Sequence, residues 1–235
     1  MTYDDNITYG ELATINNNDL LDNVILSDDW VGVTSLKDLK FFTGFTTIKN
    51  LSDDNDIFTN IEEIDMRNIS TIGSYAFLNH AGISLYNVYN ITNINSHAFN
   101  NAILLDNTYA FNSLTTIGEY AFYNAQFNSI IQLGSTTTLP QHCFENAVFN
   151  NISFNSNNTT IGNYCFKNAT IGHFTNESNI TTIEYNAFEN VNTEMYLQLS
   201  GLTSLGNAAF KGSNISVITS LGSITSIGEY TFNNC

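Results

Sequence analysis

Ile117-Gly118-Glu119-Tyr120-Ala121-Phe122-Tyr123-Asn124-Ala125 decides how the chain is read, because the sequence keeps returning to it. Close copies stand at Ile72-Gly73-Ser74-Tyr75-Ala76-Phe77, Ile161-Gly162-Asn163-Tyr164-Cys165-Phe166 and Ile227-Gly228-Glu229-Tyr230-Thr231-Phe232. Looser copies centre on Phe99, Phe144, Phe188 and Phe210. These eight phenylalanines follow one another at 22 residues, with a single step of 23 between Phe99 and Phe122. Self-similarity at such a period marks a solenoid, whose units bury their apolar sides only by stacking on their neighbours.

Counted from each phenylalanine, the rest of the unit falls into line. Position +2 is Asn in every copy but one, where Gly212 stands, and both residues tolerate the left-handed backbone of a turn. Position +3 is small in Ala102, Ala125, Ala147 and Ala169, and +5 is apolar in Phe127, Phe149, Ile171 and Ile215. Position +8 is apolar in Leu85, Ile130, Ile152, Phe174, Tyr196 and Ile218, and +17 restarts the unit as Ile94, Leu139, Ile161, Ile183, Leu205 and Ile227. The pattern predicts a parallel strand over +5 to +10 and a short helical turn over Gly-x-Tyr-Ala-Phe. The expected fold is therefore an α/β repeat solenoid, rich in strand. Its right-handed coil carries a parallel sheet on one face and short helical turns on the other.

Around the array the chain divides into three. Residues 1–34 do not repeat, although Asn18–Leu26 has the composition of a short helix. Residues 35–66 read as an N-terminal capping, degenerate repeat. It begins with a capped helix from Ser35, with Asp38 three residues on and Gly44 as its stop, and continues with a strand at Phe45–Ile48. Residues 67–235 form the regular array. It stops three residues after Phe232, with no strand and no polar capping unit behind it, so the sequence reads as a piece of a longer protein.

Composition narrows the function classes. Charged residues make up 12% of the chain, with Asn, Thr and Ser in their place, and the net charge is −16. Residues 1–67 hold 14 acidic and 4 basic residues (net −10), and residues 68–235 hold 8 and 2 (net −6). With no basic stripe, nucleic-acid binding is not expected. The apolar runs are too short for membrane insertion, and the first 25 residues have no basic n-region or apolar h-region, so no signal peptide is read. Cys143 and Cys165 share one repeat position. That position puts them within reach of a disulfide, but the alanines in the other copies favour two small buried thiols.

Catalytic chemistry finds no support in the pattern. His97 and His142 stand where other copies carry tyrosine, and His80 and His173 belong to no catalytic motif. No serine or cysteine elbow and no phosphate-binding glycine run is present. No cofactor and no metal site is read. Asp53-Asp54-Asn55-Asp56 has the look of a cation-binding loop but reads better as solvated loop acids. The Tyr75, Tyr120, Tyr164 and Tyr230 line, with His97 and His142, has the look of a sugar or partner platform but reads better as half-buried ladder packing. The Asn-x-Ser/Thr triplets follow from composition.

The strand face is the candidate site. If +8 points inward, +7 and +9 point out. The outward strip then runs through Ser84 and Tyr86, Ser129 and Ile131, Asn151 and Ser153, His173 and Thr175, Met195 and Leu197, and Val217 and Thr219. From it we take Tyr86, Ser129, Ile131, Ser153, His173, Thr175, Met195, Leu197 and Thr219 as partner-binding residues. Apolar side chains standing out of a parallel sheet are what a partner surface needs.

The unit Ile-Gly-x-Tyr-Ala-Phe-x-Asn-Ala resembles the leucine-rich repeats of BspA-like surface proteins, over residues 35–235, and Leu39–Gly44 resembles the opening of the first coil in that family. The resemblance implies a cell-surface or extracellular protein with an adhesive or host-interaction role, binding a protein or glycan partner without catalysis. The alternative is a structural spacer in a larger surface or phage-structural protein. Ile7–Ala13 resembles the end of a calcium loop with Glu11 as its last ligand, but Asp5 stands at the turn glycine and the first ligand would precede Met1. The common Ile-x-Leu-Pro strand ending of the family is missing here, and Pro140 is the only proline.

Overall fold

The computed structural model describes residues 35–37, 46–48, 61–105, 108–128, 130–154, 159–175, 179–192 and 195–235. The Asn18–Leu26 helix, the Asp53–Asp56 loop, Glu11 and most of the capping segment lie outside them. Each coil passes three stations, and each station stacks on the same station of the next coil.

The first station is the Thr-Ile pair that opens the motif. Thr47–Ile48, Thr71–Ile72, Asn93–Ile94 and Thr116–Ile117 pair in parallel in that order, and Thr138–Leu139, Thr159–Ile161, Ile180–Ile183 and Ser204–Leu205 form a second stack. The Ile or Leu side chain points into the core, where Ile48, Ile72, Ile94, Leu139, Ile161 and Ile183 have no exposed surface. The next residue donates its N–H to the Ile or Leu carbonyl of the preceding coil, as Gly73 to Ile48, Gly118 to Ile94 and Gly162 to Leu139, each at 2.8 Å. Pro140 fills this place in the Phe144 coil and has no N–H to give. The two stacks part there. The glycines have a steric reason as well: a Cβ on Gly118 would stand 2.3 Å from the Ser96 nitrogen in the preceding coil.

The second station carries the phenylalanines. Their rings form one internal column from Phe77 to Phe232, with neighbouring centroids 5.0–5.7 Å apart and planes within 12° of parallel. Phe99, Phe122, Phe144, Phe166 and Phe210 are fully buried. Burying each such ring is worth about 1.5–3 kcal/mol, and each offset-stacked pair about 0.5–1.5 kcal/mol more. The small residues beside the column (Ala98, Ala121, Cys143, Cys165, Ala187 and Ala209) are also buried, and they let the backbones close over the rings.

This station is a pair of tight turns, where the sequence predicted a helical turn. Each coil places two residues in the left-handed region, four apart, and all but Gly212 are non-glycine: Tyr120 (φ 57°) and Asn124 (φ 53°) in the Phe122 coil, His142 and Asn146 in the next. A left-handed residue stops an α-helix before it completes a turn. The N–H groups turn instead to the neighbouring coil, as Phe122 donates to Cys143 (2.9 Å) and Asn124 to Glu145 (2.8 Å).

The third station is the predicted parallel sheet. Ile103–Leu104, Gln126–Phe127 and Val148–Phe154 pair in sequence, then Thr170–Thr175, while Thr108–Phe111, Ile130–Leu133 and the second half of Val148–Phe154 pair beside them. Glu63–Asp65 with Ser84–Tyr86, and Met195–Gln198 with Ile215–Ser220, are parallel pairs of the same kind. Ser35–Leu36 joins them by pairing with Glu63–Ile64. That start of the expected capped helix is therefore strand. A strand does form at Thr47–Ile48, as expected.

Two of the residues expected to face outward do not. Ile131 has no exposed surface and Leu197 is 3% exposed, whereas Ile130 and Tyr196 are 38% and 63% exposed. The reason is a corner of variable length. The inward residues on either side of it are Leu104 and Tyr109, Phe127 and Ile131, Phe149 and Ile152, so the gap shrinks from coil to coil. Counting from the phenylalanine inverts the faces wherever the gap is even, because strand faces alternate with period 2.

Two outcomes check this packing. Phe144→Ala, which opens a gap in the middle of the ring column, should cost about 3–5 kcal/mol by urea denaturation. Ile131→Lys and Leu197→Lys should abolish folding by burying an unpaired charge, while Ile130→Lys and Tyr196→Lys should stay within about 0.5 kcal/mol of the wild type in thermal melts.

Candidate functional site

Two surfaces compete for a functional role: the strand face, and the turn side where the left-handed residues stand. On the strand face, Tyr86 is 38% exposed, with the Lys37 ammonium 5.1 Å from its ring centroid. Ser153 is half-buried, His173 is exposed, and exposed Thr219 donates its hydroxyl to the Leu197 carbonyl at 3.2 Å. Thr175 pairs with Ser153 and Met195 with Ile215 through the backbone. Ser129 lies outside the described residues. With Ile131 and Leu197 in the core, the exposed apolar residues of this face are Tyr86, Ile130, Val148, Tyr196 and Val217. Val148 is the residue that position counting passed over, since it lies at +4. Local i, i+2 pairs carried the correct phase in Ile131/Leu133 and Leu197/Leu199, because both members are buried.

The strands from Ile103–Leu104 onward contain no Asp, Glu, Lys or Arg. On a protein of net charge −16 this is a neutral, partly apolar band. Further toward the N-terminus, charges sit in closed groups. Asp65 takes hydrogen bonds from Arg67 (2.8–3.2 Å) and Asn87 (3.0 Å). Burial alone would favour protonation of Asp65, but these donors outweigh it and hold the carboxyl below its usual range. Glu63 pairs with Lys37.

The turn side is built from three ladders. At +2, asparagine amides hydrogen-bond from coil to coil, Asn101 to Asn79 at 2.9 Å, Asn124 to Asn101 at 2.7 Å and Asn168 to Asn146 at 3.0 Å. At +1, Glu145, Lys167, Glu189 and Lys211 alternate in sign, and Glu189 pairs with Lys167 (2.9 Å) and Lys211 (3.2 Å). These are the only two lysines or arginines after residue 67. Burial pushes the Glu189 carboxyl up, but its two lysine partners prevail and leave it lowered.

At −2, Tyr75, His97, Tyr120, His142 and Tyr164 stack at 4.5–4.9 Å with planes within 7°. This half-buried ladder is the one expected from the sequence, and the stacking helps to offset a left-handed backbone at every rung. What sequence reasoning missed is its alternation. Coils with Gly at −4 carry Tyr at −2, in Tyr75, Tyr120 and Tyr164, and coils with Asn95 or Pro140 at −4 carry His.

Cys143 and Cys165 are unbonded and buried, and burial pushes both thiols well up from their ordinary range. They are packing residues rather than nucleophiles. Among the described residues, no group of three or more His, Cys, Asp or Glu is placed to hold a metal ion. Among the same residues, no helix is long and apolar enough to cross a membrane.

Comparison with known proteins agrees with this architecture. No curated protein and no solved structure matches the chain. A family model described as the BspA type leucine-rich repeat region, in six copies, matches residues 23–128, 70–195 and 115–235. Repeat modules of this type are often used for protein binding and are commonly surface-associated. Matched from residue 23 to the last residue, with every coil stacked as such a repeat requires, the chain belongs to the BspA-type leucine-rich repeat family.

Proposed function

We propose that the protein is a non-enzymatic binding module at a cell surface or outside the cell, with an adhesive or host-interaction role. A protein or glycan partner lies along its strand face. The observation that carries this reading is that the strands of this face, from Ile103–Leu104 to Ile215–Ser220, contain no charged residue, while Ile130, Val148, Tyr196 and Val217 stand exposed on them. Burying apolar and aromatic side chains of this kind is what stabilises a partner interface at its centre. Val148 pairs with Gln126 and Thr170 in one sheet and Tyr196 with Val217 in another, so a partner would meet two ridged patches along this face. Ser153, His173 and Thr219 supply hydrogen-bonding groups along the same strands, Thr175 is also on them, and Tyr86 extends the surface toward the N-terminus.

A structural spacer is the second reading, and the asparagine ladder favours it, since its amides are engaged with one another from coil to coil. The two readings separate on one array. Immobilised host-matrix proteins and glycans are probed with the wild type and with a variant carrying Ile130→Lys, Val148→Lys and Tyr196→Lys, all exposed positions. Binding module predicts capture by at least one ligand and its loss in the folded variant. Capture by neither, or equally by both, would remove the strand face from the account.

A further inference from the structure

The ring column on the turn side is interrupted at two successive coils. Tyr164 is followed at −2 by Asn186 and Ala208, and the ring returns only at Tyr230. Both residues keep the left-handed backbone of the other rungs, with φ 53° at each, so the turn is unchanged and only the rings are missing. Gly206 precedes Ala208 in the place where Gly otherwise goes with Tyr. The result is a cleft of about 410 Å³ lined by Tyr185, Asn186, Asn207, Ala208, Lys211, Glu229, Tyr230 and Asn233. Small-ligand sites span about 300–1,000 Å³.

We infer that this gap is a binding site for a neutral saccharide. Tyr185, 46% exposed, and Tyr230 line the cleft with aromatic side chains, the kind of surface on which the C–H side of a sugar ring packs. Tyr185 meets Tyr164 at 88°, so the parallel stacking of the column does not continue from Tyr164 into the cleft. Three amides, a carboxylate and an ammonium line the same space and provide both donors and acceptors for neighbouring hydroxyls. Several are already held in place. Asn207 accepts from the Glu229 N–H at 3.0 Å, Asn186 donates to Glu189 at 2.7 Å, and Lys211 is paired with Glu189. Such prior ordering reduces the entropy lost on binding.

The charge of the lining excludes the acidic sugars. One lysine, engaged with Glu189, faces one free-standing glutamate on a protein of net charge −16, which repels polyanions. This site lies on the turn side and does not depend on the strand face; the two stand or fall separately.

The decisive variant is Ala208→Tyr, which restores the missing rung. Its backbone conformation is one that Tyr75, Tyr120 and Tyr164 already adopt, so the fold should hold and the cleft should fill. Tyr230→Ala, at an exposed position, removes one wall by a second route. Saturation-transfer NMR with lactose, cellobiose, maltose and chitobiose is expected to show binding of at least one disaccharide to the wild type. Both variants should weaken that binding about tenfold or more while their melting temperatures stay at or above the wild-type value for Ala208→Tyr and near it for Tyr230→Ala. Failure of all four disaccharides, wild-type binding by Ala208→Tyr, or preferential binding of heparin or of N-acetyltyrosinamide would each overturn the assignment.

Discussion

Each repeat position in the described coils must tolerate a near-copy of itself about 5 Å away in the neighbouring coil. That constraint, more than any single contact, selects the residues at each position. Phenylalanine meets it in the core because rings offset-stack at this distance and because no polar atom is buried with them. Asparagine meets it on the turn because its amide both donates and accepts, so a column of identical residues satisfies itself. Charged residues cannot meet it alone. Where they occur in the column beside the phenylalanines they alternate in sign, and elsewhere in the array they are few, which explains why the chain is so poor in charge.

The same constraint separates structural surfaces from functional ones. A column that repeats without fault is accounted for by stacking, and the asparagines from Asn79 to Asn190 and the rings from Tyr75 to Tyr164 are of this kind. A surface that departs from its own pattern is not accounted for in that way. The exposed apolar residues of the strand face vary from coil to coil, and the missing rungs at Asn186 and Ala208 break an otherwise regular alternation. These are the two places where the repeat pattern does not dictate the side chain. They point in different directions, one toward an extended partner and the other toward a small hydroxylated ring.

The solenoid, its period, its buried phenylalanines and its asparagine turns were legible in the sequence, because each depends on spacing alone. Features that depend on local backbone geometry were not. The left-handed backbone at Tyr120 and His142 could not be read from residue type, since bulky side chains rarely adopt it, and it turned an expected helical turn into paired tight turns. The inversion at Ile131 and Leu197 came from a corner one residue longer or shorter than its neighbours, which a fixed count from the phenylalanine cannot register. Pro140 was visible as the only proline, yet its effect needed the hydrogen-bond ladder it interrupts. On the candidate site, Tyr86, Ser153, His173 and Thr219 lie on the strands where the sequence put them, while Ile130, Val148 and Tyr196 had to be read from the buried i, i+2 pairs instead.

The central claim is that stability passes from ring to ring between adjacent coils, and a double-mutant cycle measures this directly. Phe122 and Phe144, whose centroids lie 5.0 Å apart, are changed to Leu singly and together, with Phe99 and Phe188 as a distant pair. Unfolding free energies from urea denaturation should give a coupling of about 0.5–1.5 kcal/mol for the adjacent pair and additivity within about 0.5 kcal/mol for the distant one. Equal additivity in both pairs would contradict the account.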